Sequence, residues 1–155
     1  MDERKAELSS RIEVNHEAPA TGIAEVFIQA PPEKVWRILS ELEKWPSWNK
    51  SVSMIRVNGP LETGTSFEWT TGGSRIISRL KEVDPPRKIA WSGRMLGIRA
   101  IHVWELKAEG EGTRVRTEES FDGIVATLLR GLMKKTLAKA LAQGTASLKA
   151  AAESR

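Results

Sequence analysis

A chain of 155 residues, 40% of them hydrophobic, suits one domain with a true core and excludes wholesale disorder. The absence of cysteine excludes disulfides, thiolate metal sites and cysteine nucleophiles. The formal net charge is +4, but residues 124–152 hold five bases (Arg130, Lys134, Lys135, Lys139, Lys149) and no acid; taking those five away leaves the rest at −1, so the basicity sits on one segment.

Residues 1–18 are polar and weakly patterned, which predicts a flexible N-terminal segment or the ragged start of the first strand. The first twenty residues contain no apolar core of the signal-peptide kind. No later stretch is long enough to span a bilayer. The expectation is a soluble, cytoplasmic protein with one domain over residues 19–152 and a short tail at 153–155. Residues 21–30 (TGIAEVFIQA) are rich in β-formers and predict strand one. Pro31 and Pro32 end it and suit the first turn of a helix, where a missing N–H costs nothing. Val35, Ile38, Leu39 and Leu42 then follow at helical spacing. The next stretch, EKWPSWNK, has a central proline and predicts a short second helix or turn.

From residue 52 to 121 the period changes. VSMIRVN, TSFEWT, SRIISRLKEV, KIAWSGRM, IRAIHVWELKA and TRVRTEESF are strand-like, and NGPLETG, TGGS, DPPR, LG and EGEG between them are turn chemistry. Six strands with short links predict an antiparallel meander. The turns fix the register. A hairpin at Gly72-Gly73 sets Trp69 opposite Ile76 and Phe67 opposite Ser78. Pairing Glu82 with Ile89 across DPPR sets Leu80 opposite Trp91. A tight turn at Leu96-Gly97 sets Trp91 opposite His102 and Ile89 opposite Trp104. Closing the last hairpin at EGEG sets Trp104 opposite Thr117 and His102 opposite Glu119. All four registers put Phe67, Trp69, Ile76, Leu80, Ile89, Trp91, Met95, His102, Trp104, Leu106, Val115 and Phe121 on one face. A slip of one residue would send a strand's set to the other side.

Gly123 breaks the last strand, and from about residue 125 the period is helical again. Val125, Leu129, Leu132, Met133, Thr136, Leu137, Ala140, Gly144 and Leu148 form a wide apolar face opposite the five bases. Such a helix, roughly 38 Å long, needs a large apolar partner, and the inner face of the sheet is the surface that fits.

The element order, together with the helix opening Ala30-Pro31-Pro32-x-x-Val35-Trp36 and the turn Trp45-Pro46-x-Trp48-Asn49, resembles the polyketide cyclase/dehydrase branch of the START-like (SRPBCC, Bet v 1-like) superfamily. The Asp84-Pro85-Pro86-Arg87 loop leading into Ile89-Ala90-Trp91 fits as well. So do Trp104-Glu105-Leu106 and Gly112-Thr113-x-Val115. The resemblance covers about residues 20–152. It implies an α+β helix-grip fold: a curved seven-stranded antiparallel sheet around a long C-terminal helix, with two short helices after strand one. It also implies a small hydrophobic ligand (lipid, polyketide or quinone-like), with cyclase/dehydratase-like acid–base chemistry in some members. Fold alone does not fix a reaction.

The sharpest chemical candidates are His102 and Glu119, which the register sets opposite each other beside Trp91, Trp104 and Thr117. A carboxylate facing an imidazole fixes its tautomer, and the pair can hold a ligand's polar group or move a proton. The same two groups can equally satisfy each other inside the fold. The expected ligand-binding set is Phe67, Trp69, Trp91, His102, Trp104, Thr117, Glu119, Leu129, Leu132 and Met133. The indoles supply flat apolar area, and the three helix residues close the cavity. Trp36, Trp45 and Trp48 are expected to be scaffold. With His16 and His102 the only histidines, no metal site and no cofactor are expected. The rival reading is an interaction module whose basic helix face binds RNA, the ribosome or an acidic protein. It weighs less, because no run mixes exposed aromatics with bases.

Overall fold

The computed structural model describes residues 11–154. Strand β1 (Ala20–Ile28) is followed by helix α1 (Pro32–Ser40), a 3₁₀ turn (Leu42–Lys44) and helix α2 (Trp45–Trp48). The meander comprises β2 (Val52–Val57), β3 (Ser66–Thr71), β4 (Ser74–Asp84), β5 (Lys88–Met95), β6 (Ile98–Glu109) and β7 (Gly112–Asp122). Two helices close the chain, α3 (Ile124–Leu128) and α4 (Arg130–Glu153). The sheet is antiparallel throughout, in the order β1-β7-β6-β5-β4-β3-β2. The α1–α2 connection carries the chain from one sheet edge to the other. This is the seven-stranded helix-grip fold that the motifs imply.

The turn-derived registers hold across the interior. Trp69 faces Ile76, Leu80 faces Trp91, Trp91 faces His102, and His102 faces Glu119. One pairing differs. Glu82 lies opposite Ala90, and Ile89 faces Val83, because a bulge between Leu80 and Glu82 adds a residue before the DPPR turn. The bulge absorbs its own offset, so the core-facing pairs beyond it keep their places.

The helical prediction also needs correction. The chain breaks at Leu129, between α3 and α4, and the buried face of α4 is Leu137, Leu141, Gly144, Thr145, Leu148 and Ala152. Leu129 and Leu132 lie outside that stripe. Residues 12–18 form neither a strand nor a loose end. The backbone of Ile12 donates to Glu82 and accepts from Lys88, and the Asn15 N–H donates to Ser120. Val14 is buried against Ala90 and Val103 on the convex face. Residues 1–10 lie outside the described residues.

Two apolar clusters fill the concave side. The larger joins α1 and Trp45 to Phe67, Leu80, Ile89, Trp91, Trp104 and the end of α4. The smaller gathers Ala20, Ile98, Ala100, Phe121, Ala126 and Leu137. Helix α4 approaches β1 closely because Gly22 has no side chain; a Cβ there would lie 3.1 Å from both Leu137 Cβ and Leu141 Cδ1. Gly22→Ala therefore lifts the helix by a few tenths of an ångström, and chemical denaturation should register a loss of about 1 kcal/mol.

Candidate functional site

The space between the two clusters is a cavity of about 640 Å³, within the usual range for a small-molecule site. Its position follows from a row that is small at three of its four places. Across the sheet, Ser78, Gly93, Ala100 and Phe121 stand side by side, and all four line the cavity. The neighbouring row holds Leu80, Trp91, His102, Glu119 and Gly22. The small Ser78, Gly93 and Ala100 beside the large Leu80, Trp91 and His102 leave room under α4. Met133, Thr136, Lys139, Ala140 and Gly144 of α4 form the opposite wall.

Of the residues expected to bind ligand, Trp69, Trp91, His102, Trp104, Glu119 and Met133 line this cavity. Phe67 does not; it is fully buried behind the wall, edge-on to Trp45 and Trp91 at 6.1 and 5.9 Å. Thr117 is also fully buried and supports His102 from behind. Leu129 and Leu132 do not close the cavity: they are 47% and 57% exposed, since the helix they open extends beyond the sheet that would cover them. Gly93, Ala100, Ser78 and Gln143 were not among the expected lining residues. The first three stand at inward positions of the alternation, but a small side chain gives no hydrophobic signal. Gln143 accepts from Ser51 and donates to Asn49, tying α4 to the α2–β2 connection at one end of the cavity.

Trp45 is scaffold, as expected. Its Nε1–H donates to the Leu39 carbonyl at 2.8 Å, and its ring packs on Trp69 and Trp91 at 5.5 and 5.3 Å. Trp69 is oriented by its own N–H, which donates to Ser78 Oγ.

The polar centre is a chain of three side chains. The Thr117 hydroxyl donates to the Val103 carbonyl at 3.0 Å, and a carbonyl can only accept. The lone pairs of Thr117 Oγ1 are therefore free to accept from His102 Nε2, 2.9 Å away. With its proton on Nε2, the neutral imidazole points the bare Nδ1 at Glu119 Oε2, 3.5 Å away. Nδ1 has no hydrogen-bond partner among the described residues. A carboxylate there would set lone pair against lone pair, whereas a protonated carboxyl can donate. Burial acts in the same sense. It pushes the Glu119 carboxyl up to about 8 and the His102 imidazole down to about 3. Although the two lie within ion-pair distance, desolvation favours the form in which both are neutral. Glu119 and His102 keep only 13% and 10% of their side chains exposed, and both line the cavity. The wall thus presents an uncharged carboxyl 3.5 Å from an imidazole whose other nitrogen donates to Thr117. Trp104 Nε1 is a buried donor without a partner among the described residues, as is Trp48 Nε1.

No group of histidine, aspartate and glutamate that could hold a metal ion occurs among the described residues. No described helix is long and apolar enough to cross a membrane.

A helix-grip sheet, a cavity beneath its long helix and a mostly apolar lining with one buried polar cluster define a START-like hydrophobic-ligand-binding fold. The family model for polyketide cyclase/dehydrase and lipid transport matches residues 20–153, and the chain belongs to that family. Comparison with the curated proteins gives no match. Among solved structures, a hypothetical protein from Helicobacter pylori aligns at 19% identity and TM-score 0.78, covering 92% of this chain and 98% of that one. A START superfamily protein from Mycobacterium smegmatis aligns at 13% identity and TM-score 0.69, covering 86% and 97%. An aromatase/cyclase from Streptomyces sp. R1128 aligns at 14% identity and TM-score 0.73, covering 86% and 93%. At these identities the likeness is one of fold.

Proposed function

We propose that the cavity binds a small hydrophobic, ring-containing molecule of lipid, polyketide or quinone-like character, and that the ligand's carbonyl or hydroxyl meets the Glu119 carboxyl. The observation that carries this reading is an uncharged, half-satisfied carboxyl in the wall of an otherwise apolar cavity. Trp69, Trp91 and Trp104 supply flat faces for a ring. The family description and the aromatase/cyclase neighbour support the same ligand class. A protonated Glu119 is also a candidate acid for a cyclase- or dehydratase-like step, with His102 accepting or returning the proton behind it. Binding is favoured over turnover, because Glu119 and His102 act as one coupled pair and the one other titratable side chain among the described lining residues, Lys139, is solvent-exposed.

Quenching of tryptophan emission by a panel of polycyclic phenols, quinones and sterols tests the reading. Saturable quenching by at least one class is expected. Glu119→Gln, which still donates and accepts, should keep the affinity, while Glu119→Leu should weaken it about tenfold for ligands with a carbonyl or hydroxyl. Ala100→Leu fills the small-residue row and should abolish binding without lowering stability. If no compound quenches, or if Ala100→Leu binds like the wild type, the cavity is not the site.

A further inference from the structure

Large apolar side chains are exposed together at one end of the molecule. Leu96, at the tip of the β5–β6 turn, is 96% exposed; Leu128 and Ile124 of α3 are 75% and 70% exposed. Leu129 and Leu132 adjoin them. These belong to one surface. The turn is seated on α3, since the Gly97 carbonyl accepts from the Val125 N–H at 3.1 Å and any Cβ at Gly97 would collide with Val125. Isolated surface leucines need no explanation, but a contiguous group projecting from a turn and a helix junction does.

Charge surrounds this group with one sign. Arg94, Arg130, Lys134, Lys135 and Lys139 are exposed, and none has an acidic partner among the described residues. Asp122, the last acid before α3, is engaged by Arg99 at 3.6 Å. Lys149, the fifth base of the segment, is tied to the Phe27 carbonyl and Glu153 and does not contribute. Leu132, Lys135 and Lys139 follow one another on α4 at three- and four-residue spacing, so they form one stripe with a leucine at its tip and lysines behind. Long lysine stems can lie along an apolar surface while their ammonium groups reach anions.

We propose that this end of the molecule docks on an anionic lipid bilayer, with the leucines at headgroup depth and the bases on lipid phosphates and carboxylates. The surface adjoins the cavity. Leu96 follows the lining residue Met95, Leu132 precedes the lining residue Met133, and Lys139 is itself part of the wall. Charge argues against a second copy of this chain as the occupant, because a two-fold contact would set the same unpaired bases against each other. An isolated acidic protein would satisfy the bases but leave the leucines unexplained.

The test is co-sedimentation of the full chain with ligand-free vesicles, of phosphatidylcholine alone or mixed with phosphatidylserine. Binding is expected to the mixed vesicles, to weaken with added salt, and to fall at least about tenfold on phosphatidylcholine alone. Lys134→Glu with Lys135→Glu, and separately Leu96→Ser with Leu128→Ser, should each cause a loss of similar size with unchanged near-ultraviolet circular dichroism. Failure to sediment with the mixed vesicles, or binding that either double variant leaves intact, overturns the proposal. So does capture by acidic proteins without vesicle binding. Because neither phospholipid has the ring that the proposed cavity ligand carries, this outcome is independent of the quenching experiment.

Discussion

Phe67→Ala should lose about 3–5 kcal/mol of unfolding free energy, while the conservative Phe67→Leu should leave the quenching titration unchanged. The ring is fully buried and packs edge-on against Trp45 and Trp91. Its removal opens a void between α2 and the sheet that the surrounding indoles are too stiff to fill. Since a domain of this size holds only about 5–15 kcal/mol in all, the loss shows clearly in a denaturant midpoint. Trp69→Ala should do the reverse. That side chain is half-buried and lines the cavity, so ligand affinity falls more than stability does. Should Phe67→Leu change ligand preference at constant stability, the placement of Phe67 behind the wall would be wrong.

The contrast between these two residues shows what the sequence can and cannot carry. Phe67 and Trp69 share a face by strand alternation, and turn chemistry alone fixed that face. Alternation reports which side of a sheet a residue takes; it does not report whether a helix, a neighbouring ring or empty space lies above it. Trp45 fills the space over Phe67, and its approach depends on α1 and α2, whose angle to the sheet is set by tertiary packing. Ser78, Gly93 and Ala100 stand at inward positions of the same alternation yet carry no apolar bulk, so the cavity's origin was invisible to a search for large side chains. The His102–Glu119 pair was legible because a two-residue register argument suffices for it. The direction of its hydrogen-bond chain was not, because it depends on Thr117 reaching the Val103 carbonyl. On α4, periodicity gave a wide apolar face but could not show that the helix overruns the sheet at its N-terminal end. Leu129 and Leu132 are therefore exposed, and the bulge after Leu80 is likewise a tertiary event with no mark in the local sequence.

The buried pair should also impress a flat-topped profile on stability against pH. The unfolded chain titrates Glu119 near 4.5 and His102 near 6.5, and the folded chain near 8 and 3. Between about pH 3 and 4.5 the unfolded chain holds one more proton at these two sites, so stability rises with pH. Between 4.5 and 6.5 each state holds one, on histidine when unfolded and on glutamate when folded, and the pair contributes no slope. Between 6.5 and 8 the folded chain holds the extra proton, so stability falls as pH rises. Each flank spans about 2 kcal/mol. Glu119→Gln removes the alkaline fall and extends the acid-side rise up to pH 6.5, which denaturation at matched ionic strength would reveal. The profile counts protons without locating them, because a charged Glu119–His102 pair also holds one. Nitrogen chemical shifts of the imidazole locate it: at neutral pH the neutral ring with its proton on Nε2 is expected. An imidazolium there would mean that Glu119 is an anion, and the uncharged carboxyl on which the proposed site rests would be lost.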